Sequence, residues 1–124
     1  MAKFNSFEEI IAWQKARELN SEIYKITSSG LFGQDFDLRG QIRRSSISIS
    51  SNIAEGFERE TAKEFIRFLY KAKASAGEFR SQLYLASDLE YLKGGEFERL
   101  NIKVCEISKL ISGLIKYLTS TLTF

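Results

Sequence analysis

Gln41-Ile42-Arg43-Arg44-Ser45-Ser46-Ile47-Ser48-Ile49-Ser50-Ser51-Asn52-Ile53-Ala54-Glu55-Gly56-Phe57 is the stretch on which the fold turns. Its centre, Ser46 to Ser50, alternates serine and isoleucine with the period of a strand, and neither residue is a strong helix former. Over the longer window from about Asp35 to Glu58, Leu38, Ile42, Ser45, Ile49, Ile53 and Gly56 instead share one side at helical spacing. A strand here would find no second strand-like run to pair with, and its backbone groups would go unsatisfied. The segment therefore reads as a helix and the chain as all-α.

The flanking segments are also helical in pattern. Ser6 and Glu9 form a capping-box pair, followed by Ala16, Leu19, Ile23 and Ile26 at spacings of three and four, with Gly30 as the stop. This predicts a first helix from Ser6 to about Ser28. Thr61 and Glu64 repeat the capping box, and Phe65, Phe68, Leu69, Ala72, Ala76, Phe79 and Leu83 carry a stripe towards Leu92, where Gly94-Gly95 ends it. Beyond the glycines, Phe97, Leu100, Val104, Ile107, Ile111, Leu114 and Leu118 step alternately by three and four. Four helices joined by short turns predict one antiparallel up-down-up-down four-helix bundle over residues 1–124.

Composition narrows the class of function. Hydrophobic residues make up 44% and charged residues 27%, well inside the globular range, and proline, which would interrupt long helices, is absent. Cys105 has no partner for an internal disulfide, and neither a leader pattern nor a run of about 18 apolar residues occurs, so the expectation is a cytoplasmic protein with no membrane contact. The absence of histidine removes the commonest general base and most zinc sites, and no phosphate-cradling glycine loop is present. The carboxylate pairs Glu55/Glu58 and Glu60/Glu64 read as solvated helix faces, since Lys63 and Arg67 follow Glu60 and Glu64 by three residues. Cys105 reads as a spectator thiol, mid-helix beside Glu106. No catalytic site, cofactor or metal is expected.

Two features point outward to partners. In the first helix Ile10, Trp13 and Tyr24 widen the apolar arc beyond the Ala16/Ile23 seam, and in the second Ile47 and Ala54 face away from Ile49 and Ile53. Such excess predicts self-association, with Ile10, Trp13 and Ile47 as candidate subunit contacts. The net charge is only +2, but from Arg59 to Arg80 six basic residues stand against three acidic ones. Lys63, Arg67 and Lys71 form an i, i+4, i+8 row there, and Arg39, Arg43 and Arg44 form a second cluster. Each of these six cations can neutralise a phosphate of RNA or DNA, and symmetric copies would multiply the charge. The other class open at this point is a protein-interaction or structural module that uses the apolar faces and never touches nucleic acid.

The stretch from Gln41 to Phe57 resembles a signature, Q-I-R-R-A-x-x-S-I-P-S-N-I-A-E-G, of the four-helix-bundle proteins encoded by intervening sequences within bacterial 23S ribosomal RNA genes. Trp13-Gln14-Lys15-Ala16, Glu64-Phe65-Ile66-Arg67-Phe68-Leu69 and the region from Glu78 to Leu92 extend the likeness over almost the whole chain. Ser45 stands in place of the signature's alanine, Ser50 in place of its proline, and Ala74-Ser75-Ala76-Gly77-Glu78 reorders the family's Gly-Ser run. Losing the proline predicts a straighter second helix. The resemblance implies a protomer that assembles as a ring-like homopentamer without enzymatic activity. Its kinship with an accessory protein of diversity-generating retroelements implies work beside nucleic acid. By matching positions, Arg43, Arg44, Asn52 and Glu55 are the family-typical polar residues of the second helix, with Asn52 and Glu55 expected to specify assembly.

Overall fold

The computed structural model describes residues 4–122. Among them are five α-helices and no strand: α1 (Ile11–Ile26), α2 (Gly30–Gln34), α3 (Phe36–Phe57), α4 (Ala62–Asp88) and α5 (Glu96–Ser120), preceded by a 3-10 turn at Phe7–Glu9. The long helices close a cycle in which α1 packs on α3 and α5, and α4 packs on α3 and α5. One contiguous apolar cluster fills the space between them, with Leu19, Ile23, Ile42, Ile49, Ile53, Phe65, Phe79, Leu83, Leu100 and Ile111 among its members.

The serine-rich segment is an unbroken helix, and the structure shows how its hydroxyls are accommodated. Ser45, Ser46 and Ser50 are buried. On the α1 side, the Ser46 hydroxyl donates to Asn20 Oδ1 at 2.6 Å, and the Asn20 amide donates to Ser50 Oγ at 3.0 Å. On the α4 side, Ser45 donates to Gln82 Oε1 at 2.6 Å, and the Ser48 and Ser75 hydroxyls lie 2.8 Å apart. Serine is thus used on α3 as a small residue that lets two helices approach and returns a hydrogen bond to each. Each such bond adds about 1 kcal/mol and avoids a buried orphan group.

The helix ends depart from expectation at three places. The first is the Ser6/Glu9 capping box, which does not form: Ser6 makes no side-chain cap, and Glu9 Oε1 accepts instead from the Asn5 N–H at 3.1 Å. Ile10 takes an extended conformation (φ −79°, ψ 118°) and buries its side chain in the core at 2% exposure, so α1 starts only at Ile11. Burial of an isoleucine side chain, about 1.5–3 kcal/mol, outweighs an N-cap worth about 1 kcal/mol.

The second departure is Gly30, which does not stop α1. It opens the short helix α2 at φ +65° and so places Phe32 in the core. Third, α4 stops at Asp88 rather than Leu92. The Tyr91 N–H reaches the Ala86 carbonyl (2.9 Å) and the Glu90 N–H the Ser87 carbonyl (3.0 Å), with Glu90 left-handed at φ +62°, the Schellman arrangement normally given to glycine. Asp35 and Thr61 do cap α3 and α4, accepting from the N–H groups of Leu38 and Glu64.

Asp35 serves twice, because its Oδ2 also accepts from the Tyr91 hydroxyl at 2.9 Å and so ties the start of α3 to the α4–α5 turn. The bond to the carboxylate, together with desolvation and the Asp35 charge, holds the Tyr91 phenol above its ordinary range. Its stabilisation is therefore complete below the phenol's unfolded pKa, about 10, and is lost as pH rises through the higher folded value. Urea unfolding is expected to find Tyr91→Phe less stable than wild type at pH 8, with the gap closing as the solution is made more alkaline than pH 10. A gap independent of pH over that interval would mean the bond contributes nothing.

Candidate nucleic-acid and subunit interfaces

The first turns of α4 concentrate the exposed charge. With Thr61 as cap, Lys63, Arg67 and Lys71 emerge one turn apart and are all exposed, and Glu64 lies beside them. Phe68, only 3% exposed, sits under three cations: the Arg59 and Arg67 guanidinium carbons and Lys71 Nζ lie 4.9, 4.7 and 4.6 Å from its ring centroid. Cation–π attraction of about 0.5–1 kcal/mol per pair at an exposed site holds these charges in place despite their mutual repulsion. Arg59 belongs to the cluster although the helical row alone does not include it.

Arg67 is also held by Glu64 through two hydrogen bonds, Nε to Oε2 at 3.1 Å and Nη2 to Oε1 at 2.9 Å. The Arg67 hydrogen bond keeps the Glu64 carboxyl below the usual carboxylate range, partly opposed by desolvation and helped by the charges of Arg67, Arg59 and Lys71. The patch remains positive at neutral pH, its four cations outnumbering Glu64 and Glu55, the two carboxylates whose charges act on Arg67.

The second arginine cluster does not act as a unit. Arg43 clamps α3 to the end of α1: its Nε donates to Thr27 Oγ1 at 2.8 Å, its Nη2 to the Tyr24 carbonyl at 3.3 Å and to Ser28 Oγ at 3.2 Å, and its guanidinium lies 4.2 Å from the Tyr24 ring centroid. Arg39 donates from Nη1 to the Gly33 carbonyl at 2.8 Å and packs over Phe36. Both are structural side chains here. Arg44 alone of the three is exposed, beside Gln41, Ser48 and Glu78. The twelve residue steps from it to Gly56 separate it from the Phe68 patch by about 18 Å along α3.

The residues expected at a subunit interface also divide. Ile10 is corrected outright, since it is a core residue and offers no surface. Trp13 is half-buried, edge-on to Phe7 with centroids 5.0 Å apart and with Arg17 5.7 Å above its ring. Ile47 is 37% exposed and Tyr24 43%. The Asn52 amide donates within α3, to the Ser48 carbonyl at 2.8 Å and its hydroxyl at 2.9 Å, and so positions Ser48 against Ser75. Glu55 is exposed, and its charge helps to keep Arg67 protonated behind the larger effect of Glu64. Among the described residues no three potential metal ligands lie together, and no helix is long and apolar enough to cross a membrane.

The family model described as 23S rRNA-intervening sequence protein matches residues 8–113, which takes in the Phe68 patch and all of α3. The chain belongs to the 23S rRNA-intervening sequence protein family. A solved structure agrees: the crystal structure of a protein of unknown function from the S23 ribosomal protein family of Bacteroides thetaiotaomicron is 29% identical, with a TM-score of 0.79 over 86% of this chain and 96% of that one. No curated protein matches the chain. Within this intervening-sequence family fold, the serine-for-proline departure at Ser50 leaves α3 continuous and adds a hydroxyl that accepts from Asn20.

Proposed function

We propose that this protein is a non-enzymatic, homo-oligomeric cytoplasmic scaffold that binds RNA or DNA through basic helix faces, its protomer an up-down-up-down bundle and its assembly a ring-like pentamer. The single observation that carries the reading is the Phe68 patch, where Arg59, Arg67 and Lys71 are gathered on one ring with Lys63 beside them. A cluster fixed by ring contacts presents charge at little further cost in side-chain ordering, as phosphate binding needs.

The order of paired residues supports the topology. Glu22 meets Arg99 and Lys103 while Lys15 meets Glu106, and Ser45 meets Gln82 while Gly56 meets Phe65 and Phe68, so numbers rise on one helix as they fall on its neighbour. The surface around Tyr24 and Ile47 favours a second reading, a protein-interaction module without nucleic-acid contact.

Binding of a labelled RNA measured by anisotropy over a salt series separates the two. The scaffold reading expects a steep salt dependence, and in the variant Lys63→Ala/Arg67→Ala/Lys71→Ala it expects weaker binding and a slope shallower by about 2, since each phosphate no longer neutralised removes about 0.7–0.9. Binding with the wild-type slope in that variant would remove these residues from the account.

A further inference from the structure

A second basic surface lies where α4 meets α5, formed by two cation pairs on different helices that only packing brings together. Two adjoining grooves of about 480 and 350 Å³ share Lys73: Lys116 borders the first, Arg80 and Lys109 the second. No carboxylate lines either groove. Lys73, Lys109 and Lys116 are exposed and make no ion pair among the described residues, while Arg80 Nε donates to Asn101 Oδ1 at 2.9 Å. Of the acidic residues on these helices, Glu106 pairs with Lys15 of α1 and Glu78 accepts from the Gln82 amide. The grooves are open because small residues face them, including Gly77, where an added Cβ would meet nothing within 4 Å. At the end bordered by Lys116, Tyr70 stands 58% exposed and forms part of the wall with Ile115.

Resting on the reading that the chain binds nucleic acid, we propose that the α4–α5 groove is the seat of a single-stranded polynucleotide, with its phosphates on Lys73, Arg80, Lys109 and Lys116 and a base stacked on Tyr70. Four cations without a carboxylate fit a polyanion. Lys109 and Lys116 are seven residues apart, about 10 Å along α5, so the charge follows a line and is not a point site for one small anion. An exposed ring set in a cationic channel is the arrangement that accepts unpaired bases, whose faces a duplex keeps stacked.

The test uses the full-length wild-type protein and fluorescein-labelled oligouridine of about 12 nucleotides, with a duplex of equal length for comparison. Cys105 lines the same groove and serves as an internal reporter through its alkylation rate with N-ethylmaleimide. The expected result is preference for the single strand, slower alkylation of Cys105 when it is bound, and at least tenfold weaker binding by Lys73→Ala/Lys109→Ala/Lys116→Ala. Tyr70→Ala is expected to weaken binding about tenfold, whereas Tyr70→Phe keeps the ring and binds as wild type. These are exposed positions, and circular dichroism verifies that each variant is folded. Wild-type binding that persists in the groove variants but disappears in Lys63→Ala/Arg67→Ala/Lys71→Ala, with Cys105 alkylated at an unchanged rate, overturns the groove and leaves the scaffold reading standing. Absence of any binding by wild type overturns both.

Discussion

Gly56→Ala is expected to destabilise the protein by about 2 kcal/mol or more, in the upper part of the range for overpacking a close approach. The new Cβ would stand 2.6 Å from Phe68 Cβ, 3.2 Å from the Phe65 ring and 3.3 Å from the Phe65 carbonyl oxygen. The Phe68 Cβ and the Phe65 carbonyl cannot be rotated aside, because both move only with the backbone, so α3 and α4 must separate. Helix propensity alone argues the reverse, since alanine is better than glycine within a helix by about 1 kcal/mol. Gly113→Ala provides the contrast: it lies in α5, an added Cβ there meets nothing within 4 Å, and it is expected to raise stability by roughly 0.5–1 kcal/mol. Urea denaturation of the two variants should show midpoints moving in opposite directions. Equal gains in both would mean that the α3–α4 approach at Gly56 is not tight. Because Phe68 carries the cation cluster, Gly56→Ala should also disorder Arg59 and Lys71.

Asn20→Ala is expected to cost about 2 kcal/mol, although it removes only one half-buried side chain. The loss arises at the buried hydroxyls of Ser46 and Ser50, which hydrogen-bond to the two ends of the Asn20 amide and would be left without that partner between α1 and α3. Thermal unfolding of Asn20→Ala, Ser46→Ala and the double variant forms a cycle. With an orphaned hydroxyl as the cause, Ser46→Ala is far less damaging in the Asn20→Ala background than alone, by a coupling on the order of 1 kcal/mol. Strict additivity would show that the amide and hydroxyl do not act together.

The helical class of the Gln41–Phe57 stretch was legible because Leu38, Ile42, Ile49 and Ile53 keep one face and nothing else in the chain can pair with a strand. The partners of its serines were not, because Asn20, Ser75 and Gln82 lie on other helices and carry no periodic mark. Ile10 reads as surface from the sequence because a capping-box pattern extends the helical wheel to it, whereas its extended backbone points it into the core.

Among the cations, the row Lys63, Arg67 and Lys71 follows from spacing, and the matching solvent face on α4 follows from the Phe65 to Leu83 stripe opposite it. Arg43 could not be separated from Arg44 in this way. Neighbours on a helix differ by about 100°, and only the position of Thr27 and Tyr24 at the end of α1 makes one a clamp and leaves the other exposed. The α4–α5 groove is not legible in the sequence for a related reason. Its cations are dispersed over two helices, and the signal that could gather them is the set of small residues, Gly77, Ser108 and Ser112, that line the two grooves.

Size-exclusion chromatography with light scattering, recording protein and nucleic-acid absorbance on gently purified protein, tests the scaffold most directly. The account predicts a mass several times the 14.2 kDa protomer, carrying absorbance that nuclease and high salt remove. A 14.2 kDa monomer free of polynucleotide would contradict it.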